Sequence, residues 1–95
     1  MKHTDEYLNS RVSWYDKSDD TIIYHEVPHA STETVDHLFM SVAKLSKTNP
    51  KAKYLVIDLS EAELPSAELR RHISERFKEY ATLFEAICIF FILHR

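Results

Sequence analysis

Tyr54-Leu55-Val56-Ile57-Asp58-Leu59 is the stretch whose reading decides the fold. It is almost unbroken in its apolar character and rich in β-branched and aromatic side chains. A run of this length and composition reads as a strand of a parallel sheet, buried on both faces. The segments on either side fit that reading. Upstream, Val35, Leu38, Phe39, Val42 and Leu45 recur at helical spacing. Ser31 or Thr32 caps this helix, Glu33 meets the positive end of its dipole, and Lys44 and Lys47 sit in the last turn. Asn49 stands where a glycine would make a left-handed cap, and Pro50 stops the helix. Downstream, Ser60 to Pro65 is a loop, and Ser66 caps a second helix. Its apolar stripe is Leu69, Ile73, Phe77, Tyr80 and Phe84, with Arg70, Arg71, Glu75, Arg76, Lys78 and Glu79 on the other side.

Further out, Thr21 to Val27 is β-branched and aromatic, and Arg11 to Tyr15 alternates with Val12 and Trp14 on one side. Both read as strands, joined into an antiparallel hairpin by the turn residues Asp16 to Asp20. Pro28 ends the second. Ala86 to Leu93 is the fourth strand. The predicted class is α/β, in the order ββαβαβ: a four-stranded mixed sheet with two helices mainly on one face. Residues 11–95 are expected to form a single domain, and residues 1–10 are a polar segment expected to fray, although Tyr7 and Leu8 could pack down. Right-handed crossovers put both helices on the same side if the strands lie in sequence order. The opposite face is then bare, and the apolar fourth strand is an edge, a position that folded proteins normally protect. Ile87, Ile89, Phe90, Phe91, Ile92 and Leu93 are therefore the interface candidates, and a second copy or another protein is the expected partner.

Composition removes several function classes. The 95 residues contain no glycine, where about six or seven would be average. Phosphate-cradling loops, dinucleotide fingerprints and nucleophile elbows need glycine where the backbone turns sharply or approaches a ligand. Net charge is −3, with −5 in residues 1–40 and +2 in residues 41–95, which gives no reason to expect nucleic acid. The longest apolar run, Ala86 to Leu93, is far short of the roughly twenty residues of a membrane-spanning helix. The single cysteine, Cys88, reads as a buried thiol in a reducing compartment. With no secretory signal in the first twenty residues, a cytoplasmic location is the expectation.

Few residues suggest chemistry. His25-Glu26-Val27-Pro28-His29 has the letters of a zinc-protease motif, but that motif needs a helix to converge its histidines. Pro28 and the strand before it forbid one. The six histidines read as scattered and solvated, and no metal site or cofactor is expected. Lys44, Lys47, Lys51 and Lys53 read as a solvated set at the helix end. Asp58 closes a strand at its carboxyl end, where sites of α/β sheets assemble. Asp58, Ser60 and Glu61 are the loop site candidates, and bracing of the loop by backbone hydrogen bonds is the simpler role for Asp58. No catalytic residue emerges, and the chain reads as non-enzymatic.

The stretch Tyr54 to Ser60, followed by Leu64-Pro65-Ser66-Ala67-Glu68-Leu69, resembles the third strand and second helix of the STAS family, the anti-sigma-factor-antagonist fold. That family often shows an apolar strand ending Asp-Leu-Ser and then Asp-Ser-Ser-Gly-Leu opening a helix, and its ββαβαβ order agrees. The resemblance implies a regulatory protein-interaction module. It places Ser66 near the position of the family's phosphorylated serine, which makes Ser66 the phosphorylation candidate. Here Pro65 stands in place of the aspartate and Glu68 in place of the glycine. Those departures favour the SpoIIAA-like, Sec14-type branch, which commonly lacks the phosphorylation motif. That branch implies an alternative function, a small apolar ligand such as a lipid lying on the bare sheet face.

Overall fold

The computed structural model describes residues 4–90. Its elements run α1 (Asp5–Asn9), β1 (Val12–Trp14), β2 (Thr21–His25), α2 (Thr32–Ser46), β3 (Tyr54–Asp58), α3 (Ala67–Tyr80) and β4 (Ala86–Phe90), with short 3-10 turns at Tyr15–Lys17 and Ala81–Leu83. The sheet order is β1-β2-β3-β4. β1 runs antiparallel to β2, while β2, β3 and β4 are mutually parallel. This is the α/β mixed sheet that the residue pattern predicts.

Both long helices begin where their capping residues dictate. The Ser31 hydroxyl accepts from the Thr34 amide at 3.3 Å, and the Thr34 hydroxyl accepts from the Ser31 amide at 2.8 Å. This reciprocal pair satisfies two of the amides a helix start leaves orphaned. Ser66 accepts from the Leu69 amide at 3.1 Å and starts α3 the same way. α2 ends differently from expectation. Its C-cap, Lys47, has right-handed backbone geometry, and Asn49 is not among the residues with positive φ. The Asn49 side chain instead accepts from the Lys51 amide at 2.9 Å, a local turn that makes the left-handed cap unnecessary. Among the described residues the ones with positive φ are Asp16 and Lys17, in the β1–β2 turn.

The core lies between one face of the sheet and the helix layer. Ile22 and Tyr24 of β2 and Leu55 and Ile57 of β3 meet Val35, Leu38, Phe39 and Val42 of α2. Burying each such side chain contributes roughly 1.5–3 kcal/mol. The Phe39 ring lies 5.4 Å from Tyr24 and 5.2 Å from Tyr80 of α3, tying sheet, α2 and α3 together. Asp36 of α2 joins the helices from the side. It accepts from Arg76 Nε at 2.8 Å and pairs with His72 Nε2 at 2.7 Å. Burial pushes the Asp36 carboxyl up, but the bonds from Arg76 and His72 outweigh it and hold the group below its ordinary 3.8.

Three expectations need correction. The 5–9 segment is helical rather than frayed, because Leu8 packs into the core and Thr4 caps the turn by accepting from the Tyr7 amide at 3.1 Å. β3 is not buried on both faces. Leu55 and Ile57 are buried, while Tyr54 is exposed and Val56 and Asp58 are intermediate, because α2 and α3 both lie on one side. Cys88 is exposed rather than buried. It shares the uncovered side with Val56, Ile23 and Ser13, to which the register aligns it.

Candidate functional site

The parallel register brings the carboxyl ends of β2 and β3 together, with His25 directly opposite Asp58. His25 Nδ1 lies 2.8 Å from Asp58 Oδ2. The other carboxylate oxygen, Oδ1, accepts from the Ser60 amide at 2.9 Å. Burial works to raise the Asp58 carboxyl, but the bonds from Ser60 and from His25 outweigh it and hold the group below 3.8. The carboxylate is thus an anchor for the turn after β3.

Arg11, just before β1, ties that turn to the hairpin. Its Nε donates to the His25 carbonyl at 3.0 Å, and its Nη2 donates to the Glu26 carbonyl at 2.8 Å and to Glu61 Oε2 at 2.6 Å. Ser60 and Glu61 are therefore both occupied in bracing the loop. His29 Nδ1 lies 3.1 Å from Glu63 Oε2, with both side chains well exposed. The two histidines of the His25–His29 stretch address different carboxylates and do not converge. Among the described residues no group of three or more His, Cys, Asp or Glu side chains is placed to hold a metal. Ser66 is exposed and caps α3.

Three participants escape a reading of the chain alone. His25 is Asp58's partner, although the sequence places no histidine near that carboxylate. The signal is topological: once β2 and β3 are neighbours in parallel, their last residues must lie side by side. Arg11 is the clamp, and a lone arginine at a strand start carries no signal. Glu26, which the sequence left without a role, is only 3% exposed. The Tyr24 hydroxyl donates to it, and so does the Val27 amide at 3.0 Å. Burial raises its carboxyl above the ordinary 4.5, against the lowering effect of the Tyr24 and Val27 bonds and of the Arg11 charge. Burial together with the Glu26 charge raises the Tyr24 phenol, which stays protonated as the donor.

The second candidate region is β4. Ile87 is half-buried, but Ile89 is 47% and Phe90 51% exposed. Phe91, Ile92 and Leu93 lie outside the described residues. Ile87 and Ile89 align with the buried Leu55 and Ile57, so they stand on the helix side of the sheet. α3 supplies one buried residue, Leu69, whereas α2 supplies five. The helix layer is therefore thickest over β2 and thins toward β4. On the other side of the sheet Ile23, Tyr54, Val56, Cys88 and Phe90 are partly or largely exposed. A groove of about 320 Å³, lined by Asn9, Val12, Ser41, Lys44, Leu45 and Thr48, lies beside α1 and α2. It is on the helix side, away from the face where the sequence places an apolar ligand. No described helix is long and apolar enough to cross a membrane.

Comparison with protein-family models, with curated proteins and with solved structures returned no match.

Proposed function

We propose that the protein is a non-enzymatic, STAS-like interaction module that associates with a second copy of itself through the β4 edge. One observation carries the reading. β4 is an uncharged strand at the edge of a sheet, with Ile89 and Phe90 about half exposed. Parallel sheets are normally covered on both faces, and apolar edges are normally blunted by charge, proline or a covering element. Here Ala86–Phe90 carries neither charge nor proline. The ββαβαβ order and the Asp58-Leu59-Ser60 to Ser66 stretch support the STAS-like part of the reading. The non-catalytic part draws support from the carboxyl edge of the sheet. Asp58, Ser60, Glu61 and Ser66 there are engaged in bracing turns and helix starts.

Light scattering across a dilution series tests the reading. The expected result is a dimer at high concentration that dissociates on dilution, and a monomer at all concentrations for Ile89→Lys, which puts a charge on the edge. A wild-type protein that stays monomeric at high concentration overturns it.

A further inference from the structure

The groove beside α1 and α2 owes its chemistry to the way the chain uses its own hydrogen bonds. Its walls come from two helices. α1 supplies Asn9, held in place because the neighbouring Leu8 packs into the core. α2 and the residues just after it supply Ser41, Lys44, Leu45 and Thr48, which recur at three- and four-residue spacing and so share one side. Val12 of β1 and Leu45, both half-buried, form the apolar part of the lining. The volume, about 320 Å³, is at the small end of the range for ligand sites.

The polar groups of the lining are unevenly engaged. Asn9 Oδ1 accepts from Ser41 Oγ at 3.2 Å and lies 2.8 Å from His37 Nε2, so both lone pairs of that oxygen have partners. This fixes the amide and leaves its NH2 group without a partner among the described residues. The Ser41 hydroxyl has one hydrogen, and the His37 carbonyl at 3.0 Å and Asn9 Oδ1 are its acceptors. The Thr48 hydroxyl donates to the Leu45 carbonyl at 2.7 Å. Both hydroxyl hydrogens are thus used inside the protein. Lys44 has no ion-pair partner among the described residues, whereas Lys51 pairs with Asp19 at 3.4 Å. Asp5 meets the other nitrogen of the His37 ring at 3.9 Å and is not part of the lining. What the groove presents is therefore donors: the Lys44 ammonium and the Asn9 amide.

We infer that this groove binds a small carboxylate with a short apolar body, the carboxylate accepting from Lys44 and Asn9 and the body lying on Val12 and Leu45. One cation matches one negative charge. A doubly charged phosphate suits the place less, because the groove sits at the last turn of α2, where the unbonded carbonyls of the helix carry partial negative charge. An uncharged molecule of the same shape forgoes the charge-assisted bonds, which are the stronger kind. The groove lies toward β1, at the edge of the sheet opposite to β4, so the inference stands apart from the proposed self-association.

Titration of the full-length chain with hexanoate, followed by nitrogen–proton correlation spectra, tests it. Saturable shifts are expected at Asn9, Ser41, Lys44 and Thr48, with a dissociation constant in the millimolar range, as suits so small a ligand. Hexanamide has the same body and no charge, and inorganic phosphate has charge and no body. Each should bind about tenfold more weakly, or less well still. Two variants locate the carboxylate. Lys44→Gln removes the cation, and Asn9→Asp keeps an acceptor for His37 and Ser41 while replacing the NH2 with a repelling oxygen. Both residues are exposed, so both variants should keep the wild-type spectrum away from the groove. Each should weaken hexanoate binding by about tenfold or more. A titration without saturable shifts overturns the site, as do shifts confined to Ile23, Val56 and Cys88 on the open face of the sheet. Hexanamide or phosphate binding as tightly as hexanoate overturns the assignment of a carboxylate, and so does wild-type affinity in either variant.

Discussion

Ile57 and Ile89 are neighbours in one ladder, on the same face of the same sheet, yet one is 5% exposed and the other 47%. Chemistry does not separate them, since both are isoleucines in apolar strands. Position under the helix layer does. β3 lies beneath α2 and α3 together, and β4 lies where that layer runs out. The apolar character of a strand therefore records how much shelter it needs. The register then shows how much of that shelter the molecule's own helices provide. β3 receives it within the chain, while β4 is left with an apolar surface that a second copy can cover.

That contrast makes unequal mutational costs the first expectation. Ile57→Ala removes a fully packed side chain and should cost about 3 kcal/mol in urea unfolding, within the usual range for such cavities. Ile89→Ala, measured at concentrations too low for association, should cost less than about 1 kcal/mol, because little apolar surface is returned to water. Equal losses would mean that β4 is sheltered within the single chain. At high concentration the Ile89→Ala penalty should grow, since association adds to stability by mass action.

The next expectation concerns the buried carboxyl at the end of β2. Glu26 has a raised folded-state value, so its contribution to stability is complete below the unfolded value near 4.5. It is lost as pH rises through the folded value. Asp36 and Asp58 have lowered values, so their contribution is lost in the opposite direction, as pH falls below 3.8. Glu26→Gln keeps an acceptor for the Val27 amide and removes the charge. Relative to wild type it should be more stable at neutral pH, by about 1 kcal/mol on the scale of burying a polar group. The difference between the two proteins should shrink steadily toward pH 4.5. A pH-independent difference would show that the carboxyl does not titrate with folding.

The smallest expected effect is in the β1–β2 turn. Lys17 has φ of 60° and Asp16 of 45° in a chain without glycine. Aspartate tolerates the left-handed region better than lysine does. Lys17→Gly should therefore raise the unfolding free energy by about 0.5 kcal/mol, the relief of strain being partly offset by glycine's greater freedom when unfolded. A loss of stability on that substitution would show that the turn is not strained.

Much of this molecule is legible in the chain. Helical spacing from Val35 to Leu45 and from Leu69 to Tyr80 locates both long helices, and Ser31 and Ser66 locate their starts, but Phe84, read as the last residue of the second stripe, lies beyond the end of α3 in extended backbone. Pro28 and Pro50 punctuate the elements as expected. Period and capping are local properties, so residues close in sequence carry them. The misreadings are of properties set at a distance. Tyr54–Leu59 looks equally apolar all along, but the handedness of two crossovers decides that only Leu55 and Ile57 meet helices. Cys88 sits in an apolar run, and strand parity turns it outward. Leu8 is an apolar residue in a polar segment, enough to suggest that it packs down but too little for the periodic signal of the helix that carries it. The pairing of His25 with Asp58 depends on a register between residues thirty-three positions apart. Nothing local to either residue announces it.

Amide hydrogen exchange at Ile87 and Ile89, followed as a function of protein concentration, tests the account most directly. Strand parity turns their N–H groups away from β3, and the proposed association through the β4 edge bonds them. Protection of both amides should rise with concentration, while the amides of β2 and β3 stay protected throughout. Exchange at Ile87 and Ile89 that is fast at every concentration, or slow even at high dilution, contradicts the claim that a second copy closes this edge.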